Sequence, residues 1–150
     1  MAWPFPHDWF GIFLTQFRTE NRFTLFLELL YSATMSQIIY KITPQAPWRE
    51  AEADGRFTGA PIDAADGFIH FSTAAQVRET AAKHFSGQTD LLLVAIDGAS
   101  LGDALKYEIS RGGALFPHLY GVLELKAVKW VRPLPLGADG THQFPELEGQ

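Results

Sequence analysis

The chain has 150 residues, of which 47% are hydrophobic and 19% charged, with a formal net charge of -5 and a pI near 5.4. This length and composition are typical of one globular domain with its own core, and they exclude a disordered chain. The negative charge argues against general nucleic-acid binding.

The chain also lacks cysteine. This excludes disulfides, thiol nucleophiles and thiolate metal sites, and it agrees with a cytoplasmic location. No apolar run reaches the ~18 residues of a membrane span. We therefore expect a cytoplasmic protein with no membrane partner, and the oligomeric state stays open.

Residues 1–34 differ in character from the rest, because they hold six of the twelve phenylalanines without a helix or strand period. They make a poor signal peptide, since Asp8 interrupts its start. The sequence predicts an N-terminal extension at 1–34, either a mis-set start or a loosely attached arm, and one α+β domain at 35–135. The alternative is an amphipathic arm that packs on the domain or on a partner. The Gly-rich, acidic residues 136–150 are predicted to be a mobile tail.

The domain begins with a strand-like run at 38–43, and Thr43-Pro44 can open a helix that Gly55 ends. The run Phe68–Ser72 is predicted as a strand. The clearest helix signal is an apolar stripe spaced by three, four and four residues, formed by Ala74, Val77, Ala81 and Phe85. Further strands are predicted at 91–96, 105–110, 118–125 and 127–133, and the last two are expected to pair with each other around Lys126.

Two histidines lie in strand-like runs with a hydroxyl two residues further on: His70 with Ser72, and His118 with Tyr120. Side chains alternate along a strand, so each pair shares one face. Imidazole and hydroxyl on one face suit a polar cleft. We predict that these four side chains line one pocket, with Glu108 near its rim.

Each of these residues also has a structural interpretation: a hydrogen-bonded core histidine, a serine helix cap, or a glutamate on a solvated face. Together, His70, Glu108 and His118 fit two chemistries. They could hold a divalent metal, but their spacing is long and no local metal motif is present, so no metal is expected. Alternatively, the histidines donate to hydroxyls or phosphates while Glu108 stabilises a cationic sugar centre or acts as a base. Arg111-Gly112-Gly113 predicts a turn rather than a phosphate-binding loop.

Several motifs between about Met35 and Pro135 carry a family resemblance. They are Ile39-Tyr40-Lys41-Ile42, Trp48, Asp63, Asp66-Gly67-Phe68-Ile69-His70-Phe71-Ser72, Gln76, Glu108 and Phe116-Pro117-His118-Leu119-Tyr120-Gly121. In these the chain resembles the bacterial family catalogued as domain of unknown function 952, which is grouped by fold with the ADP-ribosyltransferases. The resemblance implies an ADP-ribosyltransferase-like split, mixed β-sheet with two main helices, gripping NAD in a central cleft.

A finer similarity is to RNA 2'-phosphotransferases of that fold, whose first strand carries Tyr-His-Gly-Thr. Tyr40-Lys41-Ile42-Thr43 matches its outer positions, while Lys41 replaces a histidine expected to touch a ribose of NAD and Ile42 replaces a glycine. The later His-Ile-His-Leu-Ser is similar to Phe68–Ser72. The residues predicted to bind ligand are Tyr40, Lys41, Thr43, Trp48, Ser72 and Tyr120; those predicted to be catalytic are His70, His118 and Glu108.

We therefore expect a small cytoplasmic enzyme that acts on a nucleotide or a phosphorylated ribosyl ligand, with NAD as the cofactor that the resemblance implies. The corresponding activity is a glycosyl or ADP-ribosyl transfer. The competing hypothesis is a non-catalytic module that binds a nucleotide or small anion in the same cleft. Fold alone does not decide between them.

Overall fold

The computed structural model describes residues 22–27 and 37–149. Contacts within the chain divide it into two compact units after Met35. In the first part, residues 22–27 are helical with exposed side chains; the rest of the predicted extension lies outside the described residues. The predicted domain boundary stays a prediction.

The second part is an α+β fold whose main sheet has the strand order β4-β1-β5-β9. Its strands are β1 (Ile38–Pro44), β4 (Ser72–Thr73), β5 (Leu91–Asp97) and β9 (Val128–Pro133). The two central strands, β1 and β5, pair along their full length, with Ile38 opposite Asp97 and Pro44 opposite Leu91. They are continuously apolar or nearly so because they are buried on both faces of the sheet.

A second sheet has the order β3-β7-β6, and a two-stranded ladder joins β2 to β8. These strands are β2 (Arg56–Phe57), β3 (Ile69–His70), β6 (Leu105–Ile109), β7 (Leu115–Leu119) and β8 (Leu123–Glu124). All strand pairings in the described part of the chain are antiparallel, so the predicted mixed sheet is wrong. Strands β4 and β5 run in the same direction, but β1 lies between them, so they do not pair.

The two main helices that the sequence predicted are confirmed. They are α1 (Gln45–Asp54) and α3 (Ala74–His84), with the short α2 (Pro61–Asp66) between them. Helix α1 ends at Gly55, whose φ of 76° is the left-handed conformation that glycine adopts without strain. Helix α3 opens with a capping box, in which the Thr73 N–H donates to Gln76 Oε1 at 3.1 Å.

Two hydrophobic cores lie on opposite faces of β1. The first contains Ile39 with Trp48 of α1, and it extends to Leu119 of the second sheet. The second contains Tyr40 with Val77 of α3. This separation follows from the alternation of side chains along a strand.

The end of the described chain packs onto the second core. Leu147 is buried there, and the Tyr40 hydroxyl accepts from the Glu148 N–H at 2.8 Å and donates to its carbonyl at 2.9 Å. Leu147 and Glu148 belong to the segment 136–150, which the sequence predicts to be a mobile tail. The composition of the segment did not indicate this packing, and its mobility stays a prediction.

The run predicted as one strand, Phe68–Ser72, divides between the two sheets. Its first part, β3, pairs with β7, while β4 pairs with β1. Phe71 lies between them and its N–H donates to the Pro117 carbonyl at 2.9 Å. The sheets therefore separate at this point. The predicted pairing of 118–125 with 127–133 does not form, because β8 pairs with β2 and β9 with β5.

No helix within residues 22–27 or 37–149 has the length and apolarity needed to cross a membrane.

We predict that a shortened chain beginning at Met35 keeps its thermal midpoint. Every described residue of both hydrophobic cores lies at Ile38 or beyond, so we expect both cores to persist when the first 34 residues are removed. Thermal unfolding followed by circular dichroism measures this. A fall of several degrees would show that the extension contributes to the core.

The Tyr40→Phe variant is the control that shows whether the unfolding assay detects a small loss of stability. It removes both hydrogen bonds to Glu148, which should lower the free energy of unfolding by about 1 to 2 kcal/mol.

Candidate functional site

A cleft of about 670 Å³ lies where the two sheets separate. This volume is in the range of about 300–1,000 Å³ that small-molecule sites occupy. The lining residues come from both sheets, α2, α3 and the turn between β6 and β7. They are Tyr40, Lys41, Ile42, Ile62, Asp66, His70, Phe71, Ser72, Thr80, His84, Phe85, Ser110, Arg111, Phe116 and His118.

A buried carboxylate, Asp63, organises one wall of the cleft. Its oxygens lie 2.8 Å from the Nζ of Lys41, which reaches it from β1. The same carboxylate accepts from the Ala60 N–H at 2.7 Å, which caps α2. It also accepts from His70, through Nδ1 at 2.7 Å and the backbone N–H at 3.0 Å. Asp63 therefore joins the first sheet, α2 and the second sheet.

The Asp63 carboxylate stays ionised despite its burial. Burial by itself would raise the pKa of this carboxyl, but the hydrogen bonds from His70 and the charge and hydrogen bond of Lys41 lower the pKa to about 2. For Lys41, burial lowers the pKa and the neighbouring carboxylate opposes that change. The two side chains are 5% and 1% exposed, so each charge depends on the other for compensation.

His70 and His118 lie directly opposite each other on β3 and β7. Their ring centroids are 5.4 Å apart, and the planes meet edge to face. The Nε2 of His70 lies 3.1 Å from Asp66 Oδ2, while its Nδ1 contacts Asp63. Both ring nitrogens of His70 therefore face carboxylate oxygens.

His118 has its own carboxylate partner. Its Nδ1 lies 2.8 Å from Glu108 Oε2, which also accepts from the Tyr120 hydroxyl at 2.9 Å. The pKa of Glu108 is lowered first by the hydrogen bond from His118 and then by that from Tyr120, while the bond to Glu108 raises the pKa of Tyr120. Phe68 stacks on the His118 ring with centroids 4.3 Å apart. Each histidine thus has a carboxylate at Nδ1, which fixes its orientation.

The structure brings five of the predicted site residues to the cleft lining: Tyr40, Lys41, His70, Ser72 and His118. Glu108 and Tyr120 are not part of the lining; they lie behind His118 and contact it through the carboxylate. Ser72 contacts Thr80, with their hydroxyl oxygens 3.0 Å apart. The ammonium of Lys41 and the hydroxyl of Tyr40 are engaged by Asp63 and Glu148.

Two predicted ligand-binding residues, Thr43 and Trp48, are not part of the cleft lining. Trp48 is buried in the first core against Phe57, at a centroid distance of 5.3 Å, and its Nε1 donates to Glu52. Thr43 is fully buried and donates to the Pro44 carbonyl. These contacts give both residues a structural role, and their ligand binding stays a prediction.

Sequence reasoning also missed residues that the fold brings to the site. Asp63 was named only for the family resemblance and not as a site residue. It occupies the third position of a helix opened by Pro61, where a carboxylate is a typical cap, so this signal was available. Thr80 and His84 are one helical turn apart beside the apolar stripe of α3. Arg111 lies in a turn whose distance from α3 along the chain gave no indication of contact.

Within the described ranges, no group of three histidine, aspartate or glutamate side chains is placed to hold a metal ion. The expected absence of a metal stays a prediction.

Comparisons with known proteins place these residues in a family. The family model described as "Protein of unknown function (DUF952)" matches residues 42–131. The crystal structure of Protein CC0527 from Caulobacter crescentus is 52% identical with a TM-score of 0.68, covering 71% of this chain and 93% of that chain. The solution NMR structure of CC0527 is 51% identical with a TM-score of 0.65, covering 71% and 92%. No curated protein matches the chain.

We predict that Asp63→Asn lowers the free energy of unfolding by about 3 to 5 kcal/mol, because it leaves the buried Lys41 ammonium without its counter-charge. Urea denaturation measures the change. The control is Asp66→Asn, which alters the exposed carboxylate partner of the same histidine and should change stability by about 0.5 kcal/mol or less. Equal stability of the two variants would contradict a central role for the buried pair.

A pH dependence follows from the pKa of Asp63. Because folding lowers this pKa to about 2, the stabilisation of about 2 kcal/mol is present above the unfolded value near 4. It is lost as the pH falls from about 4 to about 2. Unfolding free energies from pH 2 to 5 should show this slope in the parent and in Asp66→Asn. The slope should be smaller in the double variant Lys41→Met, Asp63→Asn; an unchanged slope there would assign it to other carboxylates.

Proposed function

The chain belongs to the protein family of unknown function DUF952, and from its cleft we propose an enzyme that acts on a nucleotide or phosphorylated ribosyl ligand. The observation that carries the proposal is the pair of facing histidines, His70 and His118, each with a carboxylate at Nδ1. Paired imidazoles in a small-molecule cleft suit proton transfer at near-neutral pH. Residues that only fill a core do not need two such pairs.

The surroundings of the two rings support different roles. In His118, the bond from Nδ1 to Glu108 fixes the tautomer and assigns proton transfer to Nε2, which acts as a base toward an attacking hydroxyl or water. His70 contacts Asp63 through Nδ1 and Asp66 through Nε2. Its proposed role is the acid, which donates a proton from Nε2 to the leaving oxygen in place of Asp66. The reaction class is therefore an acid–base-assisted displacement, in which one histidine gains a proton and the other loses one.

The other groups of the cleft support a ligand with both an anionic and a ring component. Arg111 supplies a permanent positive charge, and Ser72 and Thr80 supply hydroxyls. Phe71 and Phe116 supply apolar ring surface in the same lining. Nucleotides and ribosyl phosphates combine these features.

The ADP-ribosyltransferase-like fold and the use of NAD are a separate proposal, and two positions of the cleft count against the use of NAD. Lys41 stands where the related enzymes have a histidine for NAD ribose, and its Nζ is held by Asp63. Ile42 lines the cleft where those enzymes have a glycine. These two positions do not fit NAD in the manner of that fold, so no step of the proposed chemistry uses it.

The second candidate function is a module that binds a nucleotide or small anion without turnover. It is favoured by one observation: both nitrogens of His70 already contact carboxylates. A ring held by carboxylates at both nitrogens would shape the cleft for a ligand instead of transferring a proton.

We predict turnover of at least one compound from a panel of NAD, ADP-ribose and 2',3'-cyclic AMP, followed by chromatography and mass spectrometry. His118→Asn should reduce the turnover at least about 100-fold, the lower range of what a positioned acid or base contributes. Tyr107→Phe is the matched control, since Tyr107 lies on the neighbouring strand and donates to Gln37. It should keep full activity.

Two outcomes would count against the enzyme. Turnover that is equal in His118→Asn and the parent would exclude His118 from proton transfer. Saturable thermal stabilisation by a panel compound without any turnover would favour the binding module, because a ligand of the native state raises stability by mass action.

A further inference from the structure

A second polar cluster lies in the cleft beside the two histidines. The Arg111 guanidinium donates through Nη1 to His84 Nε2, and its Nη2 lies 3.4 Å from Thr80 Oγ1. Ser72 extends the cluster through its contact with Thr80 at 3.0 Å. We call Arg111, His84, Thr80 and Ser72 the Arg111 cluster; all four residues line the cleft.

Three separate elements hold this cluster in place. Thr80 and His84 are one turn apart on α3, Ser72 belongs to β4, and Arg111 lies in the turn after β6. The guanidinium lies over the Phe116 ring, 5.2 Å from its centroid, which orients the planar donor fork. The donors are therefore positioned before any ligand arrives, which reduces the entropy cost of binding.

The charge of Arg111 has no carboxylate partner inside the cluster. Its partner His84 can accept from Nη1 only as a neutral imidazole. In agreement, burial, then the Arg111 charge, and then Lys83 and His70 lower the pKa of His84. The carboxylate on the nearby turn of α3, Glu79, is paired with Lys83; the charge of Arg111 also lowers the Glu79 pKa, but less than Lys83 does. A guanidinium that faces an imidazole and hydroxyls in a cleft is a receptor for an anion.

We propose that the Arg111 cluster is a subsite for a single phosphate group, and that the ligand is a pentose or nucleoside carrying a terminal monophosphate. The guanidinium fork matches phosphate oxygens. The Thr80 hydroxyl donates to the Gln76 carbonyl at 3.1 Å, so it positions Arg111 and Ser72 and does not donate to the phosphate itself. One permanent positive charge suits one phosphate group. It would not balance a chain of two or three.

The position of the cluster relative to His118 defines the rest of the ligand. Phe116, beneath Arg111, and His118 are two residues apart on the same face of β7, which corresponds to roughly 7 Å. One pentose ring bridges such a distance. A phosphate bound by Arg111 would thus place the adjoining sugar beside His118 and His70. This step rests on the proposed function, whereas the phosphate subsite depends only on the Arg111 cluster.

Titration calorimetry on the full chain with ribose 5-phosphate, ribose and inorganic phosphate tests the subsite. We expect saturable binding of ribose 5-phosphate, at least tenfold tighter than ribose. Arg111→Gln should remove this preference, and Arg111→Lys should restore part of it because it returns the charge without the fork. The matched control is Arg78→Gln. Arg78 lies on helix α3, which also carries Thr80 and His84, and its guanidinium lies over Phe144, so this variant should bind ribose 5-phosphate as the parent does.

Three results would overturn the subsite: equal affinity for ribose and ribose 5-phosphate, a preference that survives in Arg111→Gln, or no saturable binding of either phosphate compound. The thermal midpoint of each variant shows that it is folded. The turnover assay with His118→Asn judges the enzyme separately. Phosphate binding that depends on Arg111, without turnover of any compound, would uphold the subsite and overturn the catalytic function.

Discussion

The buried ion pair of Lys41 and Asp63 is the constraint on which the site depends. A charge pair of this kind loses hydration that its mutual attraction must offset, so it contributes little net stability compared with an apolar pair. Its effect is on geometry, because Asp63 makes contacts with β1, with the start of α2 and with His70 of β3. One carboxylate thereby sets the position of His70 relative to both sheets.

Sequence reasoning was most successful where the pattern was long. The apolar stripe of α3 and the continuous apolar run of β5 each specify their element within a few residues, since local periodicity and burial agree. It failed for Phe68–Ser72, where five residues of one strand-like run serve two sheets. Strand pairing is decided by partners that are distant in sequence, and no local period records a change of partner.

Part of the candidate site could also be predicted from the sequence. The alternation that placed His70 with Ser72, and His118 with Tyr120, identified two histidines that the structure places face to face. It could not identify Arg111, which meets α3 only after β6 and β7 pair. The family resemblance included Trp48 but did not indicate how deeply its side chain is buried, and this side chain lies in the core. Site residues that share one strand are thus easier to predict from sequence than site residues brought together from a turn and a helix.

The two histidine–carboxylate pairs differ in exposure, and this difference divides their roles. Asp63 is 1% exposed and paired with a cation, so its charge and position are fixed across the neutral pH range. Glu108 is 39% exposed on the edge strand β6, where solvent screens it and its side chain has room to move. Because β3 and β4 are only two residues long, their ladders constrain the gap between the sheets weakly. The contacts from Lys41 through Asp63 to His70 therefore constrain the cleft at His70 more tightly than Glu108 constrains it at His118.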